Sequence, residues 1–160
     1  MTFDSVLVVC TGNVCRSPIG ERLLRRRLPG KFIASAGIAA MADFPADPQA
    51  LSVAQEYGLS LEGHFARQLT PRLIRDYDLI LVMERRHIEA ISDTAPEARG
   101  RTLLFSQWVD KRDIPDPYRR DREAFHYVYR LLDSAGERWS NKLGYRKVDV
   151  DYVNRSDHQA

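Results

Sequence analysis

The stretch from Val6 to Leu28 constrains the fold more than any other. Val6-Leu7-Val8-Val9 is an unbroken, β-branched-rich apolar run that stops at Thr11-Gly12-Asn13. A run of that kind bounded by turn residues predicts a buried strand and then a turn. Ser17-Pro18 follows, and predicts a helix start with a hydroxyl at the N-cap and proline at the first helical position. Ile19, Leu23, Leu24 and Leu28 keep helical spacing, while Arg22, Arg25, Arg26 and Arg27 mostly fall on the other face, and Pro29-Gly30 ends the helix. A strand feeding a helix through a tight loop is the opening unit of a βα alternation.

The rest of the chain repeats that rhythm. Strands are expected at 31–36, 79–83 and 101–105, and helices at 47–57, 84–92 and 121–143. Asp47-Pro48 supplies a cap and a proline, Gly58 a stop, and Thr70-Pro71 a short helix start. Gly20 inside the first helix lowers its propensity and has no evident chemical role. Strand alternating with helix implies a single-domain, three-layer α/β fold, with a parallel sheet covered on both faces by right-handed crossovers. Residues 1–146 are expected to form that domain, and 147–160 a polar tail prone to fraying. Ligands of such sheets bind at the carboxyl ends of the strands, which directs attention to residues 10–17.

Bulk properties exclude several classes. The net charge of +2 is too small for a surface built around nucleic acid. The two cysteines, Cys10 and Cys15, do not make a secreted disulfide framework, and no histidine pair nearby completes a zinc site with them. The first apolar run is too short for a signal or spanning helix, so no membrane insertion is expected and the cytoplasm is the expected compartment.

The loop Cys10-Thr11-Gly12-Asn13-Val14-Cys15-Arg16-Ser17 places three chemical parts together. Leaving a strand and entering a helix, it can converge several backbone N–H groups into an anion nest. Gly12 and Asn13 tolerate the positive φ that such a turn requires. At the head of the loop, Cys10 would feel the same N–H groups, which favour a thiolate nucleophile. Arg16 offers a planar fork for two oxygens of a phosphate, and without an anion it would be poorly placed at a helix N-terminus.

Cys-x5-Arg-Ser after the first strand resembles the signature of low-molecular-weight protein tyrosine phosphatases. The likeness continues through Ser35-Ala36-Gly37, His64-x-Ala66-Arg67-Gln68-Leu69, Val82-Met83-Glu84 and Asp116-Pro117-Tyr118. The resemblance implies a four-stranded parallel sheet and a metal-free, cofactor-free phosphatase domain. In it Cys10 attacks phosphorus, Arg16 clamps the phosphate, and Asp116 protonates the leaving oxygen. Thr11, Gly12, Asn13, Val14, Cys15 and Ser17 would bind the phosphate, Ser17 would hydrogen-bond the Cys10 sulfur, and Tyr118 would stack on the substrate ring. Asn13 would brace the loop through Ser35 or His64. Cys15 would shield Cys10 as a reversible disulfide or would simply pack in the core. Phosphate and related oxyanions are expected as inhibitors in the loop. Where many family members carry a second aromatic wall, Ile38-Ala39-Ala40-Met41 has none, and Phe44 is the nearest aromatic.

Residues 112–119 most resemble the bacterial branch, whose members often act opposite a tyrosine kinase controlling capsule or exopolysaccharide export. Arg25-Arg26-Arg27 reads as a solvated face, and Arg119 and Arg120, nearer the mouth, either share that reading or favour acidic phosphopeptides. Tyr127 and Tyr129 read as helix packing. Two alternatives share the loop: an arsenate reductase and a noncatalytic phosphotyrosine-binding module. The first passes a disulfide to later cysteines, and none follows Cys15 here. The second needs neither the thiol nor the acid.

Overall fold

The computed structural model describes residues 3–144. Its elements run β1 (Ser5–Cys10), α1 (Arg16–Arg27), β2 (Phe32–Gly37), α2 (Pro48–Glu56), α3 (Pro71–Asp76), β3 (Leu79–Val82), α4 (Arg85–Thr94), β4 (Thr102–Leu104) and α5 (Arg122–Gly144). A 3-10 turn over Pro96–Arg101, not expected from the sequence, leads into β4. The four strands are all parallel, in the order β2-β1-β3-β4. The tail expected at 147–160 lies outside the described residues.

Burial on both faces explains why β1 reads as a continuous apolar run rather than an alternating one. Val6, Val8 and Cys10 face one core with α1, α2 and α5, while Leu7 and Val9 face a second with Ile74 and Ile91 of α3 and α4. These β1 residues are at most 2% exposed. α2 starts as expected, with the Asp47 carboxylate accepting from the Gln49 and Ala50 N–H groups, and Gly58 follows its end at φ +79°. The Thr70 hydroxyl caps α3 by accepting from Leu73 N–H.

Gly20 has a structural reason after all. A Cβ there would lie 3.1 Å from Phe105 and 3.2 Å from Val8, both fully buried, so the glycine lets α1 press against β1 and the segment after β4. Tyr129 packs as expected, stacked on Tyr57 with ring centroids 4.2 Å apart. Tyr127 does not: its position on α5 turns outward and leaves it 51% exposed.

Candidate active site

The loop between β1 and α1 ends two residues earlier than its sequence suggests. α1 begins at Arg16 with Cys15 at the N-cap, so Ser17 is not the cap and Pro18 is not the first helical residue. The cause is a competing use for the Ser17 hydroxyl, which lies 3.0 Å from Cys10 Sγ and accepts from Asn13 Nδ2 at 2.7 Å. No side chain caps the first turn of α1. Its N–H groups face the loop as an uncompensated positive end.

Asn13 organises the loop. It alone carries the positive φ, at 59°, whereas Gly12 does not adopt the left-handed region expected of it. Its Oδ1 accepts from Arg67 N–H at 2.9 Å, which fixes the amide so that Nδ2 points the other way. Nδ2 spends its two hydrogens on Ser17 and Ser35, the latter at 3.0 Å. Ser35 in turn donates to the buried Glu21 carboxylate at 2.8 Å. A carboxylate only accepts, so every hydrogen in this chain has a fixed direction, and the one on Ser17 is left for the Cys10 sulfur. Asn13 N–H donates to the same sulfur at 3.3 Å. The Asn13 carbonyl lies 2.7 Å from His64 Nε2, which must therefore be the donor. Burial holds His64 below its ordinary pKa, although that hydrogen bond opposes the shift. Both partners expected of Asn13, Ser35 and His64, are engaged.

Arg16 is 1% exposed. Its Nη1 donates to Glu84 Oε2 at 2.6 Å and to the Ile114 carbonyl at 2.8 Å, and its Nη2 lies 3.3 Å from Thr11 Oγ1 and 3.6 Å from Asp116 Oδ2. Among the described residues, Arg16 Nε is the only buried side-chain nitrogen or oxygen without a hydrogen-bond partner. A buried guanidinium N–H with no acceptor is costly, and an oxyanion in the loop would supply one.

Glu84 and His87 hold that arginine in place. Burial alone would raise the Glu84 carboxyl, but hydrogen bonds from Arg86 and Arg16 outweigh it and keep the group below the carboxylate range. His87 accepts from Glu84 N–H at Nδ1, so the hydrogen of the neutral ring sits on Nε2, 3.1 Å from Thr11 Oγ1. Burial lowers His87 to about 4, so its approach to Glu84 is a neutral contact and not an ion pair.

The mouth lies above this floor. Cys10, Arg16, Asp116 and Tyr118 line one cavity of about 180 Å³, together with Ala39 and Met41. Asp116 accepts from Tyr118 N–H at 3.1 Å, an Asx turn that orients the carboxylate. Ile114 N–H donates to the Met83 carbonyl at 2.9 Å and fastens this loop to the end of β3. The second wall is Met41, with Phe44 farther out and 56% exposed. Arg119 sits 5.4 Å from the centroid of the Tyr118 ring.

Cys10, Arg16, Asp116, Tyr118 and the loop residues are thus brought to one place. Cys15 is 3% exposed, and burial pushes its thiol far up, with the charges of Asp47 and Cys10 adding to the shift. Glu21 and His87 carried no sequence signal, and Glu84 and Gly37 stood in the quoted motifs without a role in the site. For Gly37 the signal was its place at the end of β2: a Cβ there would lie 2.6 Å from the Thr11 carbonyl oxygen. Among the described residues, no cluster of three or more His, Cys, Asp or Glu could hold a metal ion, and no helix is long and apolar enough to cross a membrane.

Comparison with known proteins gives the same reading. The Etp low molecular weight protein-tyrosine-phosphatase of Escherichia coli K12 is 53% identical over 143 residues, 89% of this chain and 97% of Etp. The corresponding Wzb enzyme of that strain is 52% identical over 146 residues, 91% of this chain and 99% of Wzb. A crystal structure of the tyrosine phosphatase Wzb from Escherichia coli K30 with sulphate superposes with a TM-score of 0.87 at 58% identity, covering 89% of this chain and 99% of that one. The profile described as "low molecular weight phosphotyrosine protein phosphatase" matches residues 5–149. The chain therefore belongs to the low molecular weight phosphotyrosine protein phosphatase family, and it is a protein-tyrosine-phosphatase.

Proposed function

We propose that Cys10 is the nucleophile that takes the phosphoryl group from phosphotyrosine, with Arg16 and the loop N–H groups as its electrostatic frame and Asp116 as the acid. The observation that carries this reading is the unpartnered Nε of Arg16, a buried donor on a residue that lines the same cavity as Cys10. The Cys10 thiolate attacks phosphorus in line; the S–P bond forms as the P–O bond to the phenol breaks, and the Asp116 carboxyl gives its proton to the departing oxygen. Backbone N–H groups of residues 11–17 and Arg16 hold the equatorial oxygens, and Ser17 donates to sulfur when it leaves. Water then attacks the phosphocysteine, Asp116 takes a proton from it, and inorganic phosphate and thiolate are released. Free phosphate and similar oxyanions occupy the same loop as inhibitors.

Tyr118 and Met41 form the walls that accept an aryl ring. The physiological substrate is a phosphotyrosine protein in the cytoplasm, and we place a bacterial tyrosine kinase of capsule or exopolysaccharide export among its targets. The similarity to Wzb and Etp supports this, as does the basic pair Arg119-Arg120 beside the mouth.

The test is a leaving-group series. Against aryl phosphates of increasing phenol pKa, Asp116→Asn is expected to lose about 10²–10⁴-fold in kcat on the poorest leaving groups and far less on the best. A uniform loss across the series would remove Asp116 from the role of acid.

A further inference from the structure

A larger cavity, about 430 Å³, lies away from the mouth and shares no lining residue with it. It follows the outer edge of β2, one of the two edge strands of the sheet. Arg25 Nε donates to the Ile33 carbonyl at 2.8 Å and Arg67 Nε to the Ser35 carbonyl at 2.9 Å. This protects an exposed strand edge from unwanted pairing. It also fixes two guanidinium groups one strand repeat apart, about 7 Å.

Edge protection leaves several features unexplained. Arg22 lines the cavity too, so three guanidinium groups face a single carboxylate, Glu21. Within a strand, a residue's N–H and C=O point to the same side, so Ile33 and Ser35 also turn their N–H groups outward. The surface is rich in donors. Its lips are Phe32 and Phe65, 78% and 65% exposed, the two most exposed large apolar side chains among the described residues.

We propose that this cleft docks an extended acidic segment of a protein partner, its alternate carboxylates paired with Arg25 and Arg67 and an aromatic side chain packed against Phe32 and Phe65. An extended chain repeats its side chains every two residues, the spacing that β2 imposes on the two guanidinium groups. Charge supplies complementarity, and the phenylalanines supply apolar area that a simple ion would not use. The cleft backs onto the active-site loop, since Glu21, Ser35, His64 and Arg67 in its wall belong to the network around Asn13, whereas Phe32 and Phe65 stand outside that network and Arg25 reaches only its far end at Glu21.

The probe is a capped, unphosphorylated hexapeptide of alternating Glu and Tyr, with the Gln–Tyr peptide as control, titrated into the ¹⁵N-labelled full chain. The Glu peptide is expected to bind saturably, with shifts centred on residues 32–35 and 63–67, and the control not to bind. Arg25→Gln and the double variant Phe32→Ser, Phe65→Ser should each weaken binding at least about 10-fold. Aryl phosphate hydrolysis should stay unchanged in both variants, which separates this docking from the catalytic reading and shows that the variants are folded. Equal binding of the two peptides, undiminished affinity in both variants, or shifts centred on residues 10–17 and 118 would overturn the proposal.

Discussion

Five partners meet at Asn13: Ser17 and Ser35 through Nδ2, Arg67 through Oδ1, His64 through the backbone carbonyl and the Cys10 sulfur through the backbone N–H. Those bonds hold a left-handed backbone that a non-glycine residue adopts only when its surroundings over-determine it. The reward is local. The Asn13 N–H and the Ser17 hydrogen are both directed at the Cys10 sulfur. Arg16 is held as tightly, by groups far away in sequence. Arg16→Lys keeps the charge but loses the fork whose Nη1 reaches Glu84 and Ile114 while its Nε stays free for an oxyanion. It is expected to lower kcat/KM for an aryl phosphate by about 10²–10³-fold, read by steady-state kinetics. Cys10, Arg16 and Asp116 were legible as members of one site because each stands in a short, distinctive motif. Glu84 and His87 were not, because they meet Arg16 and Thr11 only through the β1–β3 pairing, and such a register is not written in local spacing.

Among the elements, α1 shows where local rules give way. Ser-Pro is a sound helix-start signal, yet the hydroxyl was claimed by the loop and the helix began at Arg16. Gly20 is a poor helix former by propensity alone, and the packing of α1 on β1 and Phe105 requires it. The two effects oppose each other, and the packing decides. In an exposed helix, Gly→Ala stabilises by roughly 1 kcal/mol. Here the added methyl meets Phe105 and Val8, both closed in on all sides, so Gly20→Ala is expected to destabilise by about 1–2 kcal/mol in urea unfolding. The four strands were readable as apolar runs, whereas the 3-10 turn Pro96–Arg101, polar and without periodicity, was not.

For the whole molecule, the alternation of strand and helix identified an α/β domain, but the strand order β2-β1-β3-β4 had to come from tertiary pairing. That order puts β1 in the interior, between β2 and β3, so its carboxyl end carries the loop and is reached from both neighbours. Stability and site share buried ionisable groups, which gives a pH signature. His87 titrates near 4 in the fold and near 6.5 when unfolded, so the unfolded chain takes up the proton first as pH falls. Stability is expected to be fully present above about pH 6.5 and to decline down to about pH 4, by as much as ~3 kcal/mol from this group. Glu84, with its depressed carboxyl, adds a loss of the same sign at lower pH. Urea midpoints at several pH values check this, and His87→Asn should flatten the slope between pH 6.5 and 4.

If phosphate passes through the Cys10 sulfur, as proposed, the most direct measurement is to trap it there. Wild-type protein mixed with a phosphotyrosine peptide and quenched in acid within one turnover is expected to carry one added phosphoryl group, mapped by peptide mass spectrometry to Cys10. Cys10→Ser, folded by the same urea criterion, is expected to release no phosphate. Turnover by wild type with no phosphoryl group on Cys10 at any quench time, together with full activity in Cys10→Ser, would contradict the account.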